Sequence, residues 1–211
     1  MTVVTRRIAC FCETTFDAEI PATADLSQDP EVEQLILDGS FMSVSCPACG
    51  KRLSPEFPFR LTGVPVVGDI ILVPETDRAA YARGRVDYTG AAPGRVAVGF
   101  PELMEKVLIF GQGLDDRVIE IMKYYLLTGS GAAGDPEAVR DVSVYYRGVE
   151  GGKHLFNIHG MKDGEIGVAR LAQGFYARIY GDIDQRIQED PFCDFCQAPW
   201  VSMKRGARRH E

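Results

Sequence analysis

The six cysteines of this chain fall into three close pairs: Cys10/Cys12 in CFC, Cys46/Cys49 in CPACG and Cys193/Cys196 in CDFC. No cysteine is left over by spacing. Clustered thiols at this separation point to metal or redox chemistry, because two pairs on two turns supply the four ligands of a tetrahedral ion. CPACGKR is well suited to the task. Pro47 bends the chain between the thiols, Gly50 can take a left-handed conformation, and Lys51 and Arg52 can offset the charge of four thiolates around one Zn²⁺. Arg6 and Arg7 lie on the approach to the other pair. CFC is tighter than the usual C-x-x-C, and a disulfide within it would close a strained ring. The spacing therefore predicts a structural zinc site of Cys10, Cys12, Cys46 and Cys49. With four thiolate ligands such a site is closed, leaving no position for a reactive water.

Between the two pairs, DPEVEQLILDG predicts a helix. Asp29 is the expected cap, Pro30 suits the first turn, Glu31 and Glu33 suit the positive end, and Gly39 is the stop. FMSVSC reads as a strand entering the second pair. The first ~60 residues are thus expected to form a zinc-ribbon-like unit with a helical insertion.

These stretches, CFC, DPEVEQLILDGSFMSVSCPACGK and FPELMEKVLIFGQGLDDRVIEIMKYY, together resemble the bacterial CpXC family, which is named for its paired-cysteine motifs. The likeness reaches to about Tyr125. It implies metal binding through Cys10, Cys12, Cys46 and Cys49, and it brings no assigned activity with it. Three pairs can be combined into one four-ligand site in three ways, and the resemblance favours the N-terminal combination.

Further along, GVPVVGDIILVP and RVAVGF read as strands, with DRAAYARGRVDYTGAAPG a polar connector between them. PELMEKVLIFGQGLDDRVIEIMKYYLLTG holds two helical pieces broken at GQG, with Asp115 and Asp116 placed to cap the second. DVSVYYRGV, KHLFNIHGM and GEIGVARLA alternate apolar with polar and predict a small antiparallel sheet. GFYARIYGDIDQRIQ predicts a final helix with Tyr176, Ile179, Ile183 and Ile187 on one side. The fold class expected is α+β: the zinc-ribbon-like unit packed on a mixed sheet-and-helix domain, with a C-terminal antiparallel sheet and helix. The Gly-rich GSGAAGDP marks the expected boundary between a domain at 1–128 and a second at 136–200, and the basic MKRGARRHE belongs to a loose tail at 201–211.

The 211 residues carry a net charge of -7, which makes nucleic acid a poor default partner. There is no apolar run of the ~18 residues a membrane span needs, and Arg6 and Arg7 are not followed by the apolar stretch of a signal peptide. The expectation is a cytoplasmic protein with reduced thiols. There is no G-x-S-x-G elbow, P-loop or G-x-G-x-x-G, and His154 and His159 fall on opposite faces of one strand. The function expected is a zinc-binding interaction or adaptor module rather than an enzyme, acting on a protein partner or a second copy of itself. The alternatives are a thiol-redox protein using Cys193/Cys196, or a nucleic-acid-binding zinc ribbon using the basic tail. That third pair, flanked by Phe192, Phe195 and Trp200, is also a candidate half of a second metal site bridging two chains, with His210 as one further ligand.

Overall fold

The computed structural model describes residues 1–88, 94–129 and 142–206. The chain divides into two compact units, Met1–Val107 and Leu108–Glu211, and the fold is α+β. The expected boundary loop GSGAAGDP falls almost wholly outside the described residues.

The first unit is built on strands β1 (Thr2–Ala9), β2 (Thr15–Asp25), β3 (Val44–Ser45), β4 (Arg52–Leu53), β5 (Phe59–Val64), β6 (Gly68–Val73) and β7 (Arg95–Val98). Five form one mixed sheet in the order β1-β2-β5-β6-β7, and β3 with β4 forms a short separate ribbon. β2 runs parallel to β5 and β6 parallel to β7, while β1/β2 and β5/β6 are antiparallel. Ile70 to Val73 and Val96 to Val98 are 3 % exposed or less. Aliphatic side chains on both faces of these strands are covered, which is why they read as unbroken apolar runs instead of alternating ones.

β1 and β2 are not expected from the sequence. β1 lies at a sheet edge and is exposed along Thr2 to Arg7, so it carries no buried face to write an alternating pattern. β2 contains Pro21, which cannot donate a ladder hydrogen bond and so argues against a strand; it sits opposite Val3, next to a register shift between Thr2 and Val3.

Helix α1 (Glu31–Leu37) forms as expected, with Val32 and Ile36 buried, but its cap differs. Pro30 takes the cap position, and the Asp29 carboxylate instead accepts from the α-amino group of Met1 at 2.6 Å and from the Asp25 N–H at 3.4 Å. The connector after β6 is partly helical: a 3-10 turn at Glu75–Asp77 leads into α2 (Arg78–Ala82). Arg78 is buried, with its Nε and Nη2 groups paired nearby. It donates to the Glu75 carboxylate, to the Val98 carbonyl at 2.7 Å and to Glu102 Oε1 at 3.1 Å. Glu102 Oε2 accepts the Val98 N–H, and one Glu56 carboxylate accepts both the Glu75 and the Phe100 N–H groups. These carboxylates occupy the ends of β6 and β7 and the start of α3 (Phe100–Gly111), where backbone donors would otherwise lack partners.

In the second unit, α4 (Asp116–Gly129) begins with Asp115 Oδ1 accepting the Arg117 N–H at 2.9 Å, the expected cap. Val118, Ile119 and Met122 are buried. Strands β8 (Ser143–Glu150), β9 (Lys153–His159) and β10 (Gly167–Ala172) form the expected antiparallel sheet in the order β10-β9-β8. The expected final helix is two, α5 (Gln173–Tyr180) and α6 (Ile183–Arg186), because the Asp182 carbonyl starts a new turn by accepting from Gln185 and Arg186. Ile179, Ile183 and Ile187 are buried on it. Two single-turn helices follow, α7 (Phe192–Phe195) and α8 (Met203–Gly206).

The tail is not loose where it is described. Val201 and Ser202 are buried. Met203 N–H donates to Glu120 Oε2 at 2.8 Å, Lys204 Nζ to Tyr145 Oη at 2.6 Å, and Arg205 Nη1 to the Gln197 carbonyl at 2.7 Å. Residues 207–211, with His210, lie outside the described residues. Truncation after Met203 is expected to lower the thermal midpoint of the second unit by roughly 4 °C or more relative to truncation after Gly206, since ordered hydrogen bonds worth about 1 kcal/mol in sum separate the two. Differential scanning calorimetry of both truncations reads the difference.

His154 is buried at 2 % exposure, stacked on Tyr176 with ring centroids 5.2 Å apart. Tyr146 gives its one hydroxyl proton to Gln112 Oε1 at 2.8 Å, so at 3.2 Å it accepts from His154 Nδ1–H. Burial pushes the imidazole pKa below its usual value. The unfolded chain therefore takes up this proton first as pH falls. The stability linked to His154 is complete above the unfolded value of about 6.5 and is lost on acidification through the depressed folded value. Between pH 7.5 and 5.5 the native protein is expected to lose more urea resistance than His154→Gln does.

Candidate metal centre

Two tight turns bring four thiols together. The first joins β1 to β2: the Cys10 N–H donates to the Thr14 carbonyl and the Glu13 N–H to the Cys10 carbonyl, both at 2.9 Å. The second joins β3 to β4: the Cys46 N–H donates to the Lys51 carbonyl at 3.0 Å and the Gly50 N–H to the Cys46 carbonyl at 2.9 Å. The plans match. In each, the residue after the second cysteine is left-handed, Glu13 at φ 67° and Gly50 at φ 71°, and its N–H closes onto the first cysteine. C-x-C is thus the C-x-x-C turn with one residue removed, which explains how so short a spacing still presents two thiols to one centre.

The four Sγ atoms lie within 4.8 Å of one another. Cys10 and Cys49 are 3.6 Å apart and Cys12 and Cys46 are 3.7 Å apart. Metal–sulfur bonds of about 2.3 Å in a tetrahedron place neighbouring sulfurs about 3.8 Å apart, far from the ~2.05 Å of a disulfide. The four thiols can hold a metal ion.

Electrostatics within the cluster point the same way. Cys12 is pulled down to about 6, first by hydrogen bonding from the Thr14 side chain and then by its backbone. Cys10 is pushed up to about 12: the Cys12 main chain favours its thiolate, but burial and hydrogen bonding with the other three thiols outweigh that. Without a cation the cluster shares protons; a dication at its centre would let all four ionise. Each turn contributes one buried thiol, Cys10 or Cys46, and one exposed thiol, Cys12 or Cys49. Phe11, between the first two cysteines, is 83 % exposed, with Lys51 Nζ 4.4 Å from its ring centroid. Lys51 therefore sits beside the cluster as expected. Arg6 turns instead to the Phe57 ring at 5.4 Å.

The third pair has a different setting. Cys193 is half-buried and donates to Asp190 Oδ1 at 3.0 Å; Cys196 is buried, 3.9 Å from the Arg117 carbonyl. Cys193 is raised by its hydrogen bond to Asp190 and by burial, and Cys196 by burial and then by the charges of Glu120 and Asp116. Both are poor thiolates and hence poor nucleophiles. Phe192, Phe195 and Trp200 are buried; Phe192 packs edge-on to Phe195 and to Tyr124, while Phe195 stacks on Tyr124. Among the described residues, the four N-terminal cysteines are the group of three or more ligand side chains that could hold a metal, so His154 and His159 are not brought to such a site.

The family model described as CpXC protein matches residues 8–123 of the chain, a span that contains both turns. The chain is also 25 % identical over 191 residues to a protein of Treponema pallidum (strain Nichols) described as an uncharacterized protein, covering 82 % of this chain and 86 % of that one. No solved structure matches.

The left-handed residues give a reciprocal test. A Cβ on Gly50 would meet nothing within 4 Å, so its only obstacle is φ. Glu13→Gly is expected to stabilise the first unit by roughly 0.5–1 kcal/mol and Gly50→Ala to destabilise it by a similar amount, read as opposite shifts in the urea midpoint of metal-loaded protein.

Proposed function

Since the chain belongs to the CpXC protein family, with both cysteine turns inside the matched span, we propose that Cys10, Cys12, Cys46 and Cys49 bind one structural Zn²⁺ and that the protein is a non-enzymatic interaction module of the cytoplasm. The observation that carries the metal reading is the pair of sulfur separations, 3.6 and 3.7 Å across the two turns, which fit the edge of a tetrathiolate tetrahedron. Four soft thiolates select zinc or iron over magnesium or calcium, and a closed site of four cysteines is the usual setting of structural zinc. The ion would join the β1–β2 turn to the β3–β4 turn and so link folding of the first unit to metal. A reducing compartment keeps such thiols available.

The interaction role is supported by β1. It stands at the sheet edge with Val3 46 % and Val4 36 % exposed, and an edge strand of this kind can accept a strand from a partner protein or a second copy. The net charge of -7 argues against nucleic acid.

Reduced, freshly purified protein is expected to hold about one zinc per chain by elemental analysis. Cys46→Ser should lose it and unfold at lower urea concentration. Absence of metal would sink the reading, and bound iron, visible as colour, would replace zinc with the other tetrahedral thiolate ion. A monomer that retains no protein on affinity capture would remove the interaction half and leave the metal half standing.

A further inference from the structure

The arrangement of buried and exposed thiols bears on how the site responds to oxidants. Cys12 and Cys49 are exposed, while Cys10 and Cys46 are buried at 6 % and 2 % exposure. Each exposed sulfur has a buried sulfur of the opposite turn beside it: Cys49 lies 3.6 Å from Cys10, and Cys12 lies 3.7 Å from Cys46. The residues so paired are 39 and 34 positions apart in sequence. We propose that peroxide oxidation exchanges the metal for two crossed disulfides, Cys10–Cys49 and Cys12–Cys46, so that the two turns stay joined when the metal leaves. This inference rests on the metal reading above.

The chemistry balances with hydrogen peroxide as the oxidant. The Cys49 thiolate attacks one peroxide oxygen, forms an S–O bond and breaks the O–O bond, and the leaving hydroxide is protonated to water. The Cys10 thiolate then attacks the Cys49 sulfur, forms the S–S bond and expels a second hydroxide, which also becomes water. Two thiolates lose two electrons, one peroxide gains them and two protons are consumed. A metal left with two thiolates is held far less tightly. A second peroxide converts Cys12 and Cys46 in the same way, with exposed Cys12 as the attacking thiolate. Entry at the exposed sulfur and resolution by the buried one follow the usual dependence of thiol oxidation on access and a nearby resolving thiol.

The exchange also changes the surface. Four thiolates with one Zn²⁺ carry a net charge of about -2, and two disulfides carry none. Lys51, held over the exposed Phe11 ring, would then face solvent without the anionic cluster beside it. Oxidation would therefore make this end of the first unit more cationic without unfastening it. The third pair does not compete, because Cys196 is buried and both of its thiols are held protonated.

The test uses the full chain loaded with zinc, with zinc content measured before oxidant is added. About two equivalents of hydrogen peroxide are added per chain, one for each disulfide. Zinc release is followed with a coloured chelator. Free thiols are alkylated, and disulfides are mapped by mass spectrometry of non-reduced peptides. The expected result is release of the bound zinc, a Cys10–Cys49 and a Cys12–Cys46 link in one chain, alkylation of Cys193 and Cys196, and full rebinding of zinc after dithiothreitol. Release with links inside a turn, Cys10–Cys12 or Cys46–Cys49, would overturn the exchange, as would sulfinic acids without links or zinc that stays bound. Protein without zinc before peroxide is added would overturn the metal reading itself, and the exchange with it.

Discussion

Four sulfur atoms crowded within 4.8 Å cannot all carry negative charge unless a cation shares the space, and the first unit is arranged around that constraint. Two strand pairs that are remote in sequence end at the same point. β1 and β2 deliver Cys10 and Cys12, and the two-residue strands β3 and β4 deliver Cys46 and Cys49. A ribbon as short as β3–β4 has little apolar area with which to hold itself in place. A metal across the two turns would supply what packing there does not.

Charge is handled differently elsewhere in the molecule. Around the ends of β6 and β7, Glu56 and Glu102 accept main-chain N–H groups, and Arg78 bridges Glu75, Glu102 and the Val98 carbonyl. There each charge is met by hydrogen-bond partners within the fold, so burial is tolerated. At Cys10 and Cys12 the cluster instead splits, one thiol pushed up and its neighbour pulled down. In the second unit, neutral His154 completes a chain of hydrogen bonds through Tyr146 to Gln112. A buried network that is satisfied reads as structure; a cluster that divides its protons unevenly reads as a site.

Much of the site was legible from spacing alone, because a tight turn is a local object. CPACG needs a left-handed residue after its second cysteine, and Gly50 stands there. CFC was less legible, since Glu13 occupies the corresponding left-handed position and carries no glycine signature. The buried helix positions Val118, Ile119 and Met122 and the runs of β6 and β7 were likewise visible in periodicity and apolar content. β1 was not, because an edge strand exposed on both faces has no apolar period, and β2 was masked by Pro21. The docked Lys204 and Arg205 were missed because basic residues near a chain end resemble a solvated tail until Tyr145, Gln197 and Trp200 are seen beside them.

By itself, then, the sequence determined the two cysteine turns, the helices α1, α3 and α4, the apolar strands and the α+β class. All of these arise from interactions among residues a few positions apart, whose geometry the chain cannot escape. Only the tertiary structure decided which cysteine pairs combine, that β2 lies parallel to β5, that Cys196 is buried while Cys193 is half-exposed, and that each exposed thiol of the cluster faces a buried one on the other turn. Those outcomes depend on contacts between segments tens of residues apart. Local propensity does not choose between such contacts; packing, register and burial do.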